Sequence, residues 1–357
     1  MPLVRDGVRI PALWAGKQAS RLAGTAAGND LRADCVEIAL VNNMPDAALE
    51  DTESQFFNLL DLASGEIPVR VKLYSLPNVP RSDRGHQHLR SFYSGIDDLL
   101  NSRFDGVIMT GTEPRQPNLR DEPYWPALAS LLDWAEDNTS STVLSCLAAH
   151  AGVLHSDGIP RHPLNDKQFG VFAFKKTVDH ALTRNGRDVV LFPHSRCNEV
   201  RVDALTSCGY TVLTQSAEAG VDTFVKKKKR SLFVHFQGHP EYGEQTLLKE
   251  YRRDIKRFLR QERNTYPSMP KGYFDAAATK LLVDFGEICL RDRREEHIAS
   301  FPEAAVAGTL QNTWRSSATA IYRNWLQYLA SKKADASSIS VMTTVFEIVQ
   351  RKRSVLT

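Results

Sequence analysis

Ser141-Thr-Val-Leu-Ser-Cys146-Leu-Ala-Ala-His150-Ala-Gly152 decides the fold. β-Branched and apolar residues run up to Cys146 and small residues follow it, the pattern of a buried strand that turns at once into a helix. A side chain at that turn projects above the carboxyl edge of a parallel sheet. The amide nitrogens that open the helix can hold a negative oxygen or favour a thiolate. The bland alternative is a cysteine buried at a strand end as a small hydrophobe.

A second stretch changes the balance. Phe233-Val-His-Phe-Gln-Gly-His239-Pro-Glu241-Tyr242 is a strand that ends at a glycine and delivers a His and a Glu two residues apart. Thiol catalysis needs a base to take the cysteine proton and a carboxylate to hold the imidazole in one tautomer. Cys146, His239 and Glu241 are therefore the candidate catalytic residues. Taken alone, the segment also reads as a surface turn with a helix-capping Glu. His150 is a rival base, although its place four residues into the helix suits packing or support behind the site.

Outward from these stretches, Val36 to Asn42, Val69 to Leu73 and Phe104 to Thr110 read as further strands, separated by helices at about Leu49 to Leu62 and His88 to Leu100. Tyr124 to Glu136 is another helix. This alternation implies a mostly parallel sheet covered on both faces, with ligands bound beyond the carboxyl ends of its strands. A long irregular loop, Thr112 to Pro123, lies at that edge and has the length of a pocket-shaping segment. From Asp188 to Phe236 short strands dominate (Asp188 to Phe192, Glu199 to Val202, Tyr210 to Leu213), suggesting an antiparallel extension. Glu244 to Arg260 is an amphipathic closing helix. Residues 1–33 read as a lead-in, 34–262 as the main domain, and 263–357 as a mostly helical extension whose Trp325 and Tyr328 pack on the core.

Bulk properties bound the function. The chain has 357 residues, 42% hydrophobic and 24% charged, with a formal charge of +3. That composition suits a large soluble core and offers no nucleic-acid arm. The one dense basic run, Lys226 to Arg230, reads as a solvated hairpin tip, with phosphate binding as the alternative. Five cysteines without a CxxC pair suggest neither a disulfide framework nor a metal site, and fit the cytoplasm. No membrane span is expected.

In order and spacing, the motifs resemble those of the homoserine O-succinyltransferase family. They include Asn42-x-Met44-Pro45, Phe104-Asp-Gly with Thr110-Gly111, Tyr124-Trp125, Cys146, Lys167-x-Phe-Gly-Val-Phe172, Pro193-His-Ser-Arg196, Gly238-His-Pro-Glu-Tyr242, Glu250-Tyr-x-Arg253-Asp254 and Asn312-Thr-Trp-Arg-Ser316. The resemblance implies a flavodoxin-like, doubly wound α/β fold of the class I glutamine amidotransferase kind. It also implies acyl transfer from a CoA thioester, succinyl-CoA or acetyl-CoA, to the hydroxyl of homoserine or a related amino acid. Cys146 would carry the acyl group, His239 would move protons, and Glu241 would orient His239. Lys167, Ser195 and Arg253 would contact the amino acid, the amides of Leu147 and Thr112 would form the oxyanion hole, and Arg115 would fall at the donor-specificity position. No bound cofactor or metal is expected, and a homodimer is expected by analogy. An amide hydrolase with the same triad is the rival enzyme.

Four departures bear on substrate; one is that the family's CWGAQ-like run reads Cys146-Leu-Ala-Ala-His150 here. The family lysine after Met-Pro is replaced by Asp46-Ala47-Ala48, which removes one expected positive charge. At the donor-specificity position the family's Glu or Gly has become Arg115, a cation suited to the free carboxylate of a succinyl donor or, alternatively, to solvent or a CoA phosphate. An atypical insertion occupies residues 276–310.

Overall fold

The apolar runs of the first half form a sheet whose two faces are both covered. A computed structural model describes residues 35–354, with side chains through residue 336; the expected lead-in, 1–33, lies outside the described residues. β1 (Val36–Val41), α1 (Asp46–Ser64), β2 (Val69–Tyr74), α2 (Asp83–Phe92), α3 (Ile96–Leu100), β3 (Gly106–Met109), α4 (Trp125–Asn138), β4 (Ser141–Ser145) and α5 (Leu147–Asp157) alternate along the chain. After α5 the chain forms β5 (His162–Lys176), β6 (Val189–Glu199), α6 (Val202–Ser207), β7 (Thr211–Val212), β8 (Thr214–Ser216), β9 (Gly220–Val221), β10 (Thr223–Lys228) and β11 (Ser231–Phe236). The seven-stranded sheet has the order β2-β1-β3-β4-β11-β10-β7. β2, β1, β3, β4 and β11 are parallel; β10 and β7 close the edge antiparallel. This is the doubly wound, mostly parallel arrangement expected.

Period-two alternation explains the layers. Ile38, Leu40, Ile108, Val143 and Val234 enter one core with α1, while Ala39, Val41, Val107, Leu144 and Phe233 enter the other with α4 and α5. The β5/β6 pair carries β8 and β9 in a separate four-stranded antiparallel sheet, the expected extension. α7 (Thr246–Leu259), α8 (Ala276–Arg291), α9 (Glu303–Ala307) and α10 (Arg315–Ser354) follow. The 276–310 stretch buries Leu282, Phe285 and Phe301 against Leu248, Tyr251 and Phe258 of α7, so it covers the outer face of that helix. On α10, Tyr322, Trp325, Leu326 and Leu329 enter the main core. Trp325 Nε1 donates to Ser141 Oγ at 2.9 Å, and a methyl group at Gly106 would meet Leu329 and Trp325 within 3 Å.

Two local expectations need correcting. The helix expected over His88 to Leu100 is broken into α2 and α3, because Ser94 is drawn to the sheet edge, donating its N–H to Leu73 O at 2.9 Å. Glu199 to Val202 is no strand of its own: Glu199 ends β6 and Val202 opens α6. Between them, Val200 N–H goes to Gln237 Oε1 instead of a neighbouring strand.

Candidate active site

β4 and β11 lie side by side in parallel, so the residues after each strand emerge together at the carboxyl edge. Cys146 is held at φ 53°, ψ −112°, a conformation rare for a residue with a side chain. Its N–H still reaches Phe236 O at 2.8 Å, which locks the turn to β11. The side chain is half-buried. Across the edge, His239 N–H donates to Pro193 O at 2.8 Å, and His239 Nδ1 lies 2.8 Å from Glu241 Oε1. Ser145, the residue before Cys146, donates to that same Glu241 oxygen at 3.2 Å.

Burial disfavours the charged form of His239, but the Cys146 sulfur and the Glu241 carboxylate outweigh it and hold its pKa well above the usual value. The Nδ1 side of the His239 ring meets Glu241, and the ring stacks on Tyr242 with centroids 4.1 Å apart. The three sequence candidates are therefore brought together. His150 is not with them. It is buried, its Nε2 lies 3.0 Å from Gln237 Oε1, and burial pushes its pKa down to about 3.

Gly111 shapes the approach to Cys146. A Cβ there would sit 2.7 Å from Leu147 Cβ and 2.9 Å from Leu147 N, so only glycine lets this backbone lie against the start of α5. The loop that follows is pinned by buried Glu122, which accepts the N–H groups of Arg115 and Gln116 at 2.5 and 2.7 Å. Arg257 holds the same loop from α7 by pairing with Glu113 at 3.1 Å. Arg115 itself is exposed, and among the described residues its guanidinium has no partner.

Lys167, Ser195 and Arg253 do converge, on two carboxylates of α7. Lys167 Nζ lies 2.9 Å from Asp254 and 3.6 Å from Glu250. Arg253 pairs with Asp254 at 2.9 Å, and Ser195 Oγ donates to Glu250. Burial pushes the Asp254 carboxyl up, but Lys167 and Arg253 outweigh it and hold it below the usual value. Tyr242 OH donates to Glu250 at 2.6 Å, linking this cluster to His239 through one ring. Sequence reasoning assigned no role to Ser145, Tyr242, Glu250 or Asp254. The i, i+4 spacing of Glu250 and Asp254 on one helix face was the available signal.

At the position of the absent lysine, Asp46 accepts from Ser82 N–H at 2.7 Å and pairs with Arg81 at 3.3 Å. Arg81 is itself buried, donating to Met44 O and Asn42 O. A cation thus stands under the Met-Pro turn, out of reach of a ligand. The Lys226–Arg230 run is a hairpin tip with its own counter-ions: Lys226 pairs with Asp157 at 2.6 Å and Lys229 with Asp137 at 2.8 Å. No described helix is long and apolar enough to cross a membrane.

A family model described as homoserine O-succinyltransferase matches residues 18–336. The chain belongs to the homoserine O-succinyltransferase family. It is an acyltransferase. The homoserine O-succinyltransferase of Rhodopseudomonas palustris is 47% identical over 297 residues, covering 83% of this chain and 89% of that one. The homoserine O-succinyltransferase of Bradyrhizobium japonicum is 44% identical over 338 residues, covering 92% and 99%. Among solved structures, a glutamine amidotransferase from Methylobacillus flagellatus aligns with a TM-score of 0.45 at 16% identity, over 83% of this chain and 95% of that one.

Proposed function

We propose that this enzyme moves a succinyl group from succinyl-CoA to the hydroxyl of homoserine through an acyl thioester on Cys146. The observation that carries the reading is the half-buried sulfur at a strained strand-to-helix turn, together with a histidine that a buried carboxylate orients and whose pKa the sulfur and that carboxylate raise. Family membership supports transfer to an alcohol over amide hydrolysis by the same three groups.

In the first half-reaction the Cys146 thiolate attacks the thioester carbonyl carbon. The oxygen gains the electron pair and is met by the Leu147 and Thr112 amides, which have no acceptor among the described residues. A donor of this kind typically lowers a barrier by about 2.7–4 kcal/mol. The C–S bond to CoA then breaks, and His239 gives its proton to the departing thiolate. In the second half, neutral His239 takes the hydroxyl proton of homoserine as its oxygen attacks the acyl carbon; Cys146 leaves as thiolate, and the imidazolium is restored. Glu241 keeps one ring nitrogen occupied, so the other faces the reaction in both halves.

Lys167, Ser195 and Arg253 fit an amino acid's charged backbone, with Arg253 offering its exposed half to the carboxylate. Arg115 would meet the free carboxylate of the donor. A cytoplasmic homodimer belongs to the same proposal, and sedimentation reads the assembly. The direct test is intact-protein mass after mixing with succinyl-CoA and no acceptor. A gain of one succinyl group, lost on adding homoserine, supports the reading; turnover with no acyl-enzyme at any time argues for direct transfer instead.

A further inference from the structure

One buried asparagine ties the carboxyl ends of β1, β2 and β3 together. Asn43 follows β1 and is 3% exposed. Its Oδ1 accepts the N–H of Leu76, just past β2, at 3.0 Å, and its Nδ2 donates to the carbonyl of Thr110, just past β3, at 3.3 Å. Thr110, 4% exposed, is anchored to β1 in turn by its own N–H on Val41 O at 3.0 Å. The Thr110 hydroxyl oxygen accepts Asn43 N–H at 2.8 Å. An amide N–H has nothing to accept with, so the hydroxyl proton goes the other way, to Gly111 O at 3.0 Å. The reaction as described uses none of these groups.

Gly111 O belongs to the same peptide unit as the Thr112 N–H. In a trans peptide the carbonyl and the N–H point opposite ways within one plane, so a bond that fixes the carbonyl also fixes the direction of the amide. The glycine is what makes such a bond necessary. Its Cα lies so close to the start of α5 that a Cβ would come 2.9 Å from Leu147 N, and a residue without a Cβ leaves the next peptide plane free to swing. The Thr110 hydroxyl takes that freedom back. The same close approach sets the Gly111 backbone beside the Leu147 amide, the other proposed donor to the acyl oxygen.

We propose that Thr110 is a positioning residue for the oxyanion hole: its hydroxyl, steadied by Asn43, turns the Gly111–Thr112 peptide so that the Thr112 and Leu147 N–H groups meet the same acyl oxygen. Thr110 acts through the Gly111 carbonyl and not on the substrate. The proposal rests on the acyl-enzyme reading, because the oxygen gains its charge only when Cys146 adds to the thioester carbonyl.

The test sets two reactions of Cys146 against each other. Acylation by succinyl-CoA builds a negative oxygen as sulfur adds to the carbonyl carbon. Alkylation by iodoacetamide forms its C–S bond at a tetrahedral carbon and expels iodide, so no such oxygen develops. Thr110→Val keeps the shape of the side chain and removes the hydroxyl. Removing a whole oxyanion donor costs about 10²–10³-fold, and losing only its aim costs less, so acylation at saturating succinyl-CoA should slow by about ten- to a hundredfold, followed by intact-protein mass, with half-saturation little changed. Alkylation of Cys146, read on its own peptide because four other cysteines are present, should keep its wild-type rate. Thr110→Ser, which restores the hydroxyl, should recover most of the loss. If Thr110→Val does not fold, Thr110→Ala carries the same comparison. Acylation at the wild-type rate overturns the proposal, and so does equal slowing of both reactions, which would mark damage to the Cys146 turn. Wild-type enzyme that never takes up a succinyl group overturns the acyl-enzyme reading and this proposal with it, whereas normal acylation of the wild type and the valine variant alike overturns the proposal alone.

Discussion

The two ends of the candidate site are built on opposite terms. Around Cys146 the strand-end backbone is committed: Cys146 N–H to Phe236 O, His239 N–H to Pro193 O, Gly238 N–H to Asp222. Around Arg253 the groups are cations and carboxylates paired with one another, and the Arg253 side chain is 47% exposed. In the proposed reaction the chemical end is thus fixed before substrate arrives, and the recognition end is held by counter-ions that a substrate's own charges would partly replace. Preorganisation of the first kind lowers a barrier, whereas exchange of the second kind sets affinity and selectivity.

Mutations at the two ends should therefore fail differently. Cys146→Ala removes the atom proposed to carry the acyl group, so turnover should fall by about 10⁴-fold or more with thermal stability nearly unchanged. Near-normal turnover in that variant, measured by CoA thiol release, would remove Cys146 from the mechanism. Next in size, His239→Gln should cost about 10²–10⁴-fold in kcat. His150→Gln tests the contrast, because a neutral histidine bonded to Gln237 predicts a loss below about tenfold; the reverse ranking would move the base to α5.

At the recognition end, Arg253→Ala should raise KM for the amino acid by roughly ten- to a hundredfold while kcat changes little, the size of one charge-assisted contact. A kcat effect without a KM effect would put Arg253 with the chemistry and erase the contrast. The smallest effect is expected at Arg115. Its exposure screens the charge, so Arg115→Ala should reduce the preference for succinyl-CoA over acetyl-CoA by about tenfold. An equal loss for both donors would assign Arg115 to the CoA portion instead.

The same contrast governs what could be read from the chain. Cys146, His239 and Glu241 are legible because each sits at the end of a continuous apolar run, where strand period and a turn announce themselves within ten residues. The mostly parallel sheet follows from the same alternation of strands and helices, whereas the order of its strands comes from the structure. Ser145 gave no sign, since a serine before a nucleophile looks like strand until Glu241, 96 positions on, folds over it. The Lys167 cluster was legible as cations but not as ion pairs, because its carboxylates come from a helix some 80 residues away. The break between α2 and α3 was missed because helical periodicity says nothing about a backbone pulled to a sheet edge at Ser94.

The bond between Trp325 and Ser141 joins positions 184 residues apart. A ribosome adds about 5–20 residues per second, so roughly 10–40 s pass between making the nucleophile strand and making the indole that covers its layer. Throughout that interval the part of this face that α1 leaves open, including the notch at Gly106, stays uncovered. Chaperone demand during synthesis should thus peak before α10 emerges, and stop codons placed just upstream of Arg315 should yield aggregates.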